Sequence, residues 1–160
     1  MNTPYADQVG DRDPVDVLAT SLDAYQKLTS RLTPAQWAAP WAPGKWTAHQ
    51  IVVHVTQWEM IFGVRLRCGL SVPGYVVQPL DQDPFMFEAA TVDGPTAFRA
   101  FEGLRLMNLA LARSLSPADR ARPVQHPERG TIDIESLLLT LAGHPVHHYK
   151  QIAYVAQLGL

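Results

Sequence analysis

The sequence predicts an all-α protein built as one four-helix bundle, and three observations carry that reading. Four long segments repeat apolar residues at spacings of three and four, no stretch alternates with the two-residue period of a strand, and 47% of the 160 residues are apolar, enough for one sizeable core. Residues 1–13 are polar and lack periodicity, so they are expected to form a flexible lead-in to a single domain spanning 14–160.

The first helix starts at Asp13 or Pro14, a residue suited to a first helical turn, and runs to about Arg31. Its stripe is Val15, Leu18, Leu22, Tyr25, Leu28 and Leu32. Thr33-Pro34-Ala35-Gln36-Trp37 reads as a short capped turn, and Pro40, Pro43 and Gly44 interrupt regular structure before the second helix. That helix begins near Trp46 or Thr47 and reaches about Cys68, with Ile51, Val55, Trp58, Phe62 and Leu66 inward and His54 beside them.

Residues 69–94 hold Pro73, Gly74, Pro79 and Pro84 among the aromatics Tyr75, Phe85 and Phe87. A connection this long implies a crossover between the second and third helices, packed over one end of the bundle. The third helix follows Pro95, presents Phe98, Phe101, Leu104, Asn108, Leu111 and Leu115 on one face, and stops at Ser116-Pro117. A loop containing His126-Pro127-Glu128-Arg129-Gly130 leads to Asp133, a good N-cap for the last helix, whose stripe is Leu137, Leu141, His144, His148, Ile152 and Val155.

Thirteen Lys plus Arg oppose fifteen Asp plus Glu without any run of like charge, so neither nucleic acid nor an anionic membrane is an expected partner. Small molecules or other proteins are. The first thirty residues hold Asp7, Asp11, Asp13 and Asp16 and no apolar block, and nothing approaches the length of a bilayer span, which points to the cytoplasm. The single cysteine, Cys68, precludes an internal disulfide and a multi-thiolate metal site. Imidazoles and carboxylates remain as metal ligands.

His144 and His148, four apart, place two imidazoles on one helix face, on the stripe that faces the core. Each would lose about 1–3 kcal/mol there if left unpaired. His54 lies at a depth on the second helix where it can meet them, and three neutral imidazoles leave a divalent ion an open coordination position. The pairs 144 with 147 and 144 with 148 both fit; the continuation of the stripe through Ile152 favours His148. His147 is then a rim residue, and His49 and His126 are read as non-ligands. Pro145, deep in the helix, is expected to produce a kink or a local wide turn, with Gly143 easing the distortion.

Three blocks carry a family resemblance: WTAHQIVVHVTQWE from Trp46 to Glu59, FRAFEGLRLMNLALARSL from Phe98 to Leu115, and HPERGTIDIESLLLTLAGHPVHHYKQIAYV from His126 to Val155. The last contains an HPE-x-G turn and an H-x-x-x-H-x-x-Q-I helix. The sequence resembles the DinB-like superfamily of damage-inducible and YfiT-type four-helix metalloproteins. That resemblance implies helices running up, down, down, up, a zinc or nickel ion on His54, His144 and His148, and a homodimer. Pro145 departs from it, standing where relatives commonly carry an acidic residue.

The superfamily includes transferases of low-molecular-weight thiols of the mycothiol or bacillithiol type. The resemblance therefore implies a metal-dependent thiol transferase with a stress or detoxification role, the ion activating the thiol. Arg105, on the inner side of the third helix, is a candidate to bind a carboxylate of thiol or substrate, with a structural ion pair as its alternative. Glu59 is a candidate support for the site, with a solvated carboxylate as its alternative. Two competing functions stand beside this one: a metal-dependent hydrolase of a small amide or ester, and a non-catalytic metal-binding stress protein.

Overall fold

A computed structural model of the chain describes residues 3–159. In order, the elements are α1 (Ala6–Val9), α2 (Pro14–Thr29), α3 (Pro34–Ala38), α4 (Ala48–Ser71), a 3-10 stretch over Asp83–Ala90, α5 (Gly94–Ser114), α6 (Pro117–Arg120), β1 (Pro123–His126), β2 (Gly130–Asp133) and α7 (Ile134–Ala156). No helix among the described residues is long and apolar enough to cross a membrane.

The helix starts follow their capping chemistry. Asp13 accepts from the Val15 amide at 2.7 Å, Asp93 from Thr96 at 2.7 Å and Asp133 from Ser136 at 2.8 Å. Thr47 and Gln50 form a reciprocal capping box at the head of α4. Each cap satisfies a donor that the first turn leaves open, about 1 kcal/mol apiece.

Contacts between helices give their directions. Arg120 bridges Asp13, before α2, to Glu135 at the start of α7, and farther along the Tyr25 hydroxyl donates to the Pro145 carbonyl at 2.8 Å, so α2 and α7 run parallel. His54 meets His144 while Gly69 lies against Ile134, so α4 is antiparallel to α7. Thr56 donates to the Ala97 carbonyl and Glu59 meets Arg105, so α4 and α5 run parallel. The bundle is up, down, down, up, with 72–93 as the crossover. That crossover is pinned to β1, since the Val77 amide donates to the Gln125 carbonyl at 2.8 Å.

Two apolar clusters fill the bundle, one around Leu18, Phe62, Leu66, Leu137 and Leu141, the other around Tyr25, Ile51, Val55, Phe101, Ile152 and Val155. Each large side chain buried there contributes roughly 1.5–3 kcal/mol. Along α7 the histidines fall between the two clusters.

Three sequence expectations meet a different outcome. Residues 1–13, expected to lack regular structure, carry α1, whose Val9 is buried in the core. The 123–133 segment, expected to be a loop, is an antiparallel hairpin of two four-residue strands with His126 opposite Gly130. α5 is rotated from its expected face: Ala97, Phe101, Arg105, Asn108 and Ala112 are buried, whereas Phe98, Leu104 and Leu111 are half-buried. Phe101 and Asn108 are buried as their place in the stripe predicts, and Arg105 is buried where Leu104 was expected. Pro145 lies inside α7, and its carbonyl accepts from the Tyr25 hydroxyl.

Candidate metal centre

α4 and α7 cross so that His54, His144 and His148 bring one ring nitrogen each to within 4.8 Å of one another. All three are buried. The Nε2 atoms of His54 and His144 stand 3.0 Å apart, near the ~3.3 Å separating two nitrogens about 2.0–2.1 Å from a shared tetrahedral ion. His148 Nδ1 lies 2.8 Å from Gln151 Oε1. As a donor to that amide oxygen, Nδ1 carries the ring proton, which leaves the Nε2 lone pair free.

Burial holds all three imidazoles neutral. It lowers the His54 pKa to about 3, helped by the neighbouring His148 charge, and lowers that of His148 to about 4 against the opposing pull of Gln151. His144 falls well below its ordinary value, first by burial and then by the charges of His148 and His54. Neutral rings are what a metal needs as ligands. His54 Nδ1 is also buried without a hydrogen-bond partner in the protein. A donor set of neutral, convergent imidazoles fits a divalent ion.

Aromatic rings wall the cluster. Trp46 lies 4.7 Å from the His54 ring centre and 6.4 Å from that of His148, Trp58 lies 6.0 Å from His144, and Tyr5 packs edge-on to His144 at 5.2 Å. Tyr5 reaches this place from a left-handed backbone conformation, φ 60°. Its carbonyl lies against Gly143, where a Cβ would overlap it. Gly143 is thus required by the crossing of α7 with the N-terminal segment. A cavity of about 270 Å³ opens beside His144, lined among others by Tyr5, Trp58, Phe62, Arg65, His126 and Arg129.

The sequence reading singled out the three histidines that the structure brings together. His147 stays outside the convergent set, its ring 5.0 Å from that of His148 and 5.4 Å from that of Tyr5, and His49 is held by the Val92 carbonyl at 2.7 Å. Arg105 and Glu59 are brought to each other, through a two-pronged contact at 2.9 and 2.7 Å with both side chains fully buried. Glu59 is no solvated carboxylate, and the Arg105 guanidinium is occupied by Glu59, the Leu18 carbonyl and Ser21 Oγ. Neither lines the cavity. Tyr5, Arg65, Arg129 and Gln151 went unread in the sequence; only Gln151 carried a local signal, three residues beyond His148 on the same face.

Bundle and histidine pocket together define a class, the four-helix proteins with a buried three-imidazole site, and comparison with known proteins gives the family. The DinB superfamily profile matches residues 18–152. The chain belongs to the DinB superfamily. A relative from Oceanobacillus iheyensis, named as a metal-dependent hydrolase, is 30% identical over 111 residues, which span 68% of this chain and 64% of that protein. The chain thus spans somewhat less than two thirds of that relative. YfiT of Bacillus subtilis, also named as a metal-dependent hydrolase, superposes with a TM-score of 0.82 at 22% identity over 90% of this chain and 84% of its own. A mycothiol-dependent maleylpyruvate isomerase superposes with a TM-score of 0.67 at 16% identity, covering 95% of this chain and 63% of its own. At such identities the two structures show the fold.

Proposed function

We propose that His54, His144 and His148 hold a divalent ion, zinc or nickel first among the candidates, and that the protein transfers a low-molecular-weight thiol to a small electrophile. The observation that carries this reading is the convergence of three neutral ring nitrogens, with His144 among them lining a cavity. An ion with only neutral ligands keeps its full charge and so favours the deprotonated form of a thiol or water.

The chain's own residues do the rest. Gln151 fixes the His148 tautomer, and Trp46, Trp58 and Tyr5 exclude water around the imidazoles, which strengthens every charge interaction there. The carboxylate on the His54 helix, Glu59, is bound to Arg105 and takes no proton from a nucleophile. A thiol, with an ordinary pKa of about 8.5, has little need of such a base; water has more. The thiol named in the isomerase of like fold supports the same choice. A cytoplasmic homodimer serving detoxification or stress response is part of this proposal.

The names of the relatives favour a second reading, hydrolysis of a small amide or ester. Glu128, which lines the cavity, would then be the available base. Elemental mass spectrometry on untagged protein, beside His54→Ala and His148→Ala, tests the site: about one ion per chain, absent from both variants, is expected. A parent that refuses zinc and nickel sinks both readings. With metal loaded, consumption of thiol in the presence of an electrophile supports transfer, whereas ester cleavage without thiol loss supports hydrolysis.

A further inference from the structure

The cavity beside His144 has a second end that the metal reading leaves unused. Arg65 projects from α4 and is buried, one guanidinium nitrogen donating to the Gln78 carbonyl at 2.8 Å. Its guanidinium carbon lies 5.4 Å from the Trp58 ring centre and 5.2 Å from that of Phe62, which fixes the group in place by cation–π attraction. Arg129 arrives from the hairpin turn, and its Nε is buried without a hydrogen-bond partner in the protein. Among the described residues neither arginine forms an ion pair, while Arg105, Arg120 and Arg122 all do. His126 lines the same wall.

Two guanidinium groups held at one cavity wall without a bound carboxylate are an electrostatic cost that the fold bears. Each one's pKa is lowered, first by burial, and Arg65 is also disfavoured by the charge of Arg129. His126 is lowered by burial and by both arginines, so it adds no charge at neutral pH. Glu128 is the opposing carboxylate within electrostatic reach of Arg129 and His126. Asp81 shares an adjoining cavity with Arg65, His126 and Glu128 but forms no ion pair with them. Two guanidiniums against Glu128 leave one positive charge inside the cavity, which matches a monoanion.

We infer that Arg65 and Arg129 form a carboxylate-binding subsite, with Trp58 and Phe62 as its apolar wall, and that it takes a small molecule whose carboxylate is held there while the rest of it reaches toward His144. A planar carboxylate answers the guanidinium fork and supplies the acceptor that Arg129 Nε lacks. The placing of the reacting end at the histidines rests on the proposed function; the anion subsite itself rests on the arginines alone.

The test is calorimetric titration of the metal-loaded protein with benzoate and with benzamide, two probes alike in shape and different in charge. Benzoate is expected to bind at least about tenfold more tightly, a preference lost in Arg129→Gln and Arg65→Gln, kept in part in Arg65→Lys, and kept in His148→Ala. Circular dichroism of each variant verifies the fold, and Arg129→Gln, at a half-buried position, keeps the test open if Arg65→Gln does not fold. Equal binding of the two probes, a preference that survives both arginine substitutions, or one that vanishes in His148→Ala overturns the subsite. A parent that takes up no metal yet shows the arginine-dependent preference sinks the proposed function and leaves the subsite standing. Turnover of 4-(chloromethyl)benzoate against its amide, and of 3-mercaptopropionate against 2-mercaptoethanol, assigns the carboxylate to electrophile or thiol: KM rises at least about tenfold in Arg129→Gln only for the partner that carries it. No change in KM for either acid places neither in the subsite and overturns its link to the reaction.

Discussion

Two polar clusters lie buried in this bundle, and they are built on opposite principles. Where α2, α4 and α5 meet, Arg105, Glu59, Asn108 and Ser21 close on one another: Asn108 donates to both the Glu59 carbonyl and its carboxylate, and Arg105 uses all three of its nitrogens. Where α4 meets α7, His54, His144 and His148 offer lone pairs at close range and leave His54 Nδ1 unpartnered. Completed networks rigidify a core; incomplete ones mark a place for something else. Both clusters include residues of α4, five positions apart, so satisfaction rather than burial or polarity separates structure from function here.

The largest effect that tests this contrast is Glu59→Ala. It strands the Arg105 guanidinium in a fully buried site and should cost about 3–5 kcal/mol, a drop of roughly 10 °C in melting temperature, with metal content per folded chain unchanged. Replacing the pair together, Glu59→Leu with Arg105→Met, should recover most of that loss. A mild single variant would mean that the network is not what holds α4 to α5.

Acid should act on the other cluster. The folded pKa values of His54 and His148, about 3 and about 4, lie below the ordinary 6.5, so the unfolded chain binds more protons. Stability of the metal-free protein is therefore full above pH 6.5 and falls as pH drops toward 4, by up to about 1.4 kcal/mol per pH unit for each histidine. Thermal melts across that window check the sign, and His54→Ala should flatten the curve. Gly143→Ala should cost about 1–3 kcal/mol, since the Tyr5 carbonyl must move away, and should quench metal retention more than it lowers the melting temperature. The smallest effect is Thr47→Ala, about 1 kcal/mol from losing the α4 cap, read by denaturant titration.

The bundle and its three histidines were legible because helical periodicity is local: the α7 stripe from Leu137 to Val155 is buried at every position named for it. What escaped was set by partners distant in sequence. Arg65 and Arg129 are 64 residues apart and meet only through the hairpin, and β1 and β2 are too short to show a period. Tyr5 belongs to a polar stretch in which, among the described residues, Val9 alone is buried, so its docking on α7 leaves no pattern. The rotation of α5 escaped because Ala97 and Ala112 carry too little apolar weight to mark a face against Phe98, Leu104 and Leu111, and what draws Arg105 inward is Glu59, 46 positions away.

The pairing of His54 with His144 spans 90 positions, and that span is also an interval of time. At about 5–20 residues per second of synthesis, roughly 5–20 s separate the appearance of the first imidazole from that of the second. Throughout that interval α4 exists without α7, and an ion meeting the nascent chain finds a single ring rather than a pocket. The three-nitrogen pocket is complete only once α7 has been made and has packed on α4, so the last helix and not the second sets when a full site first exists.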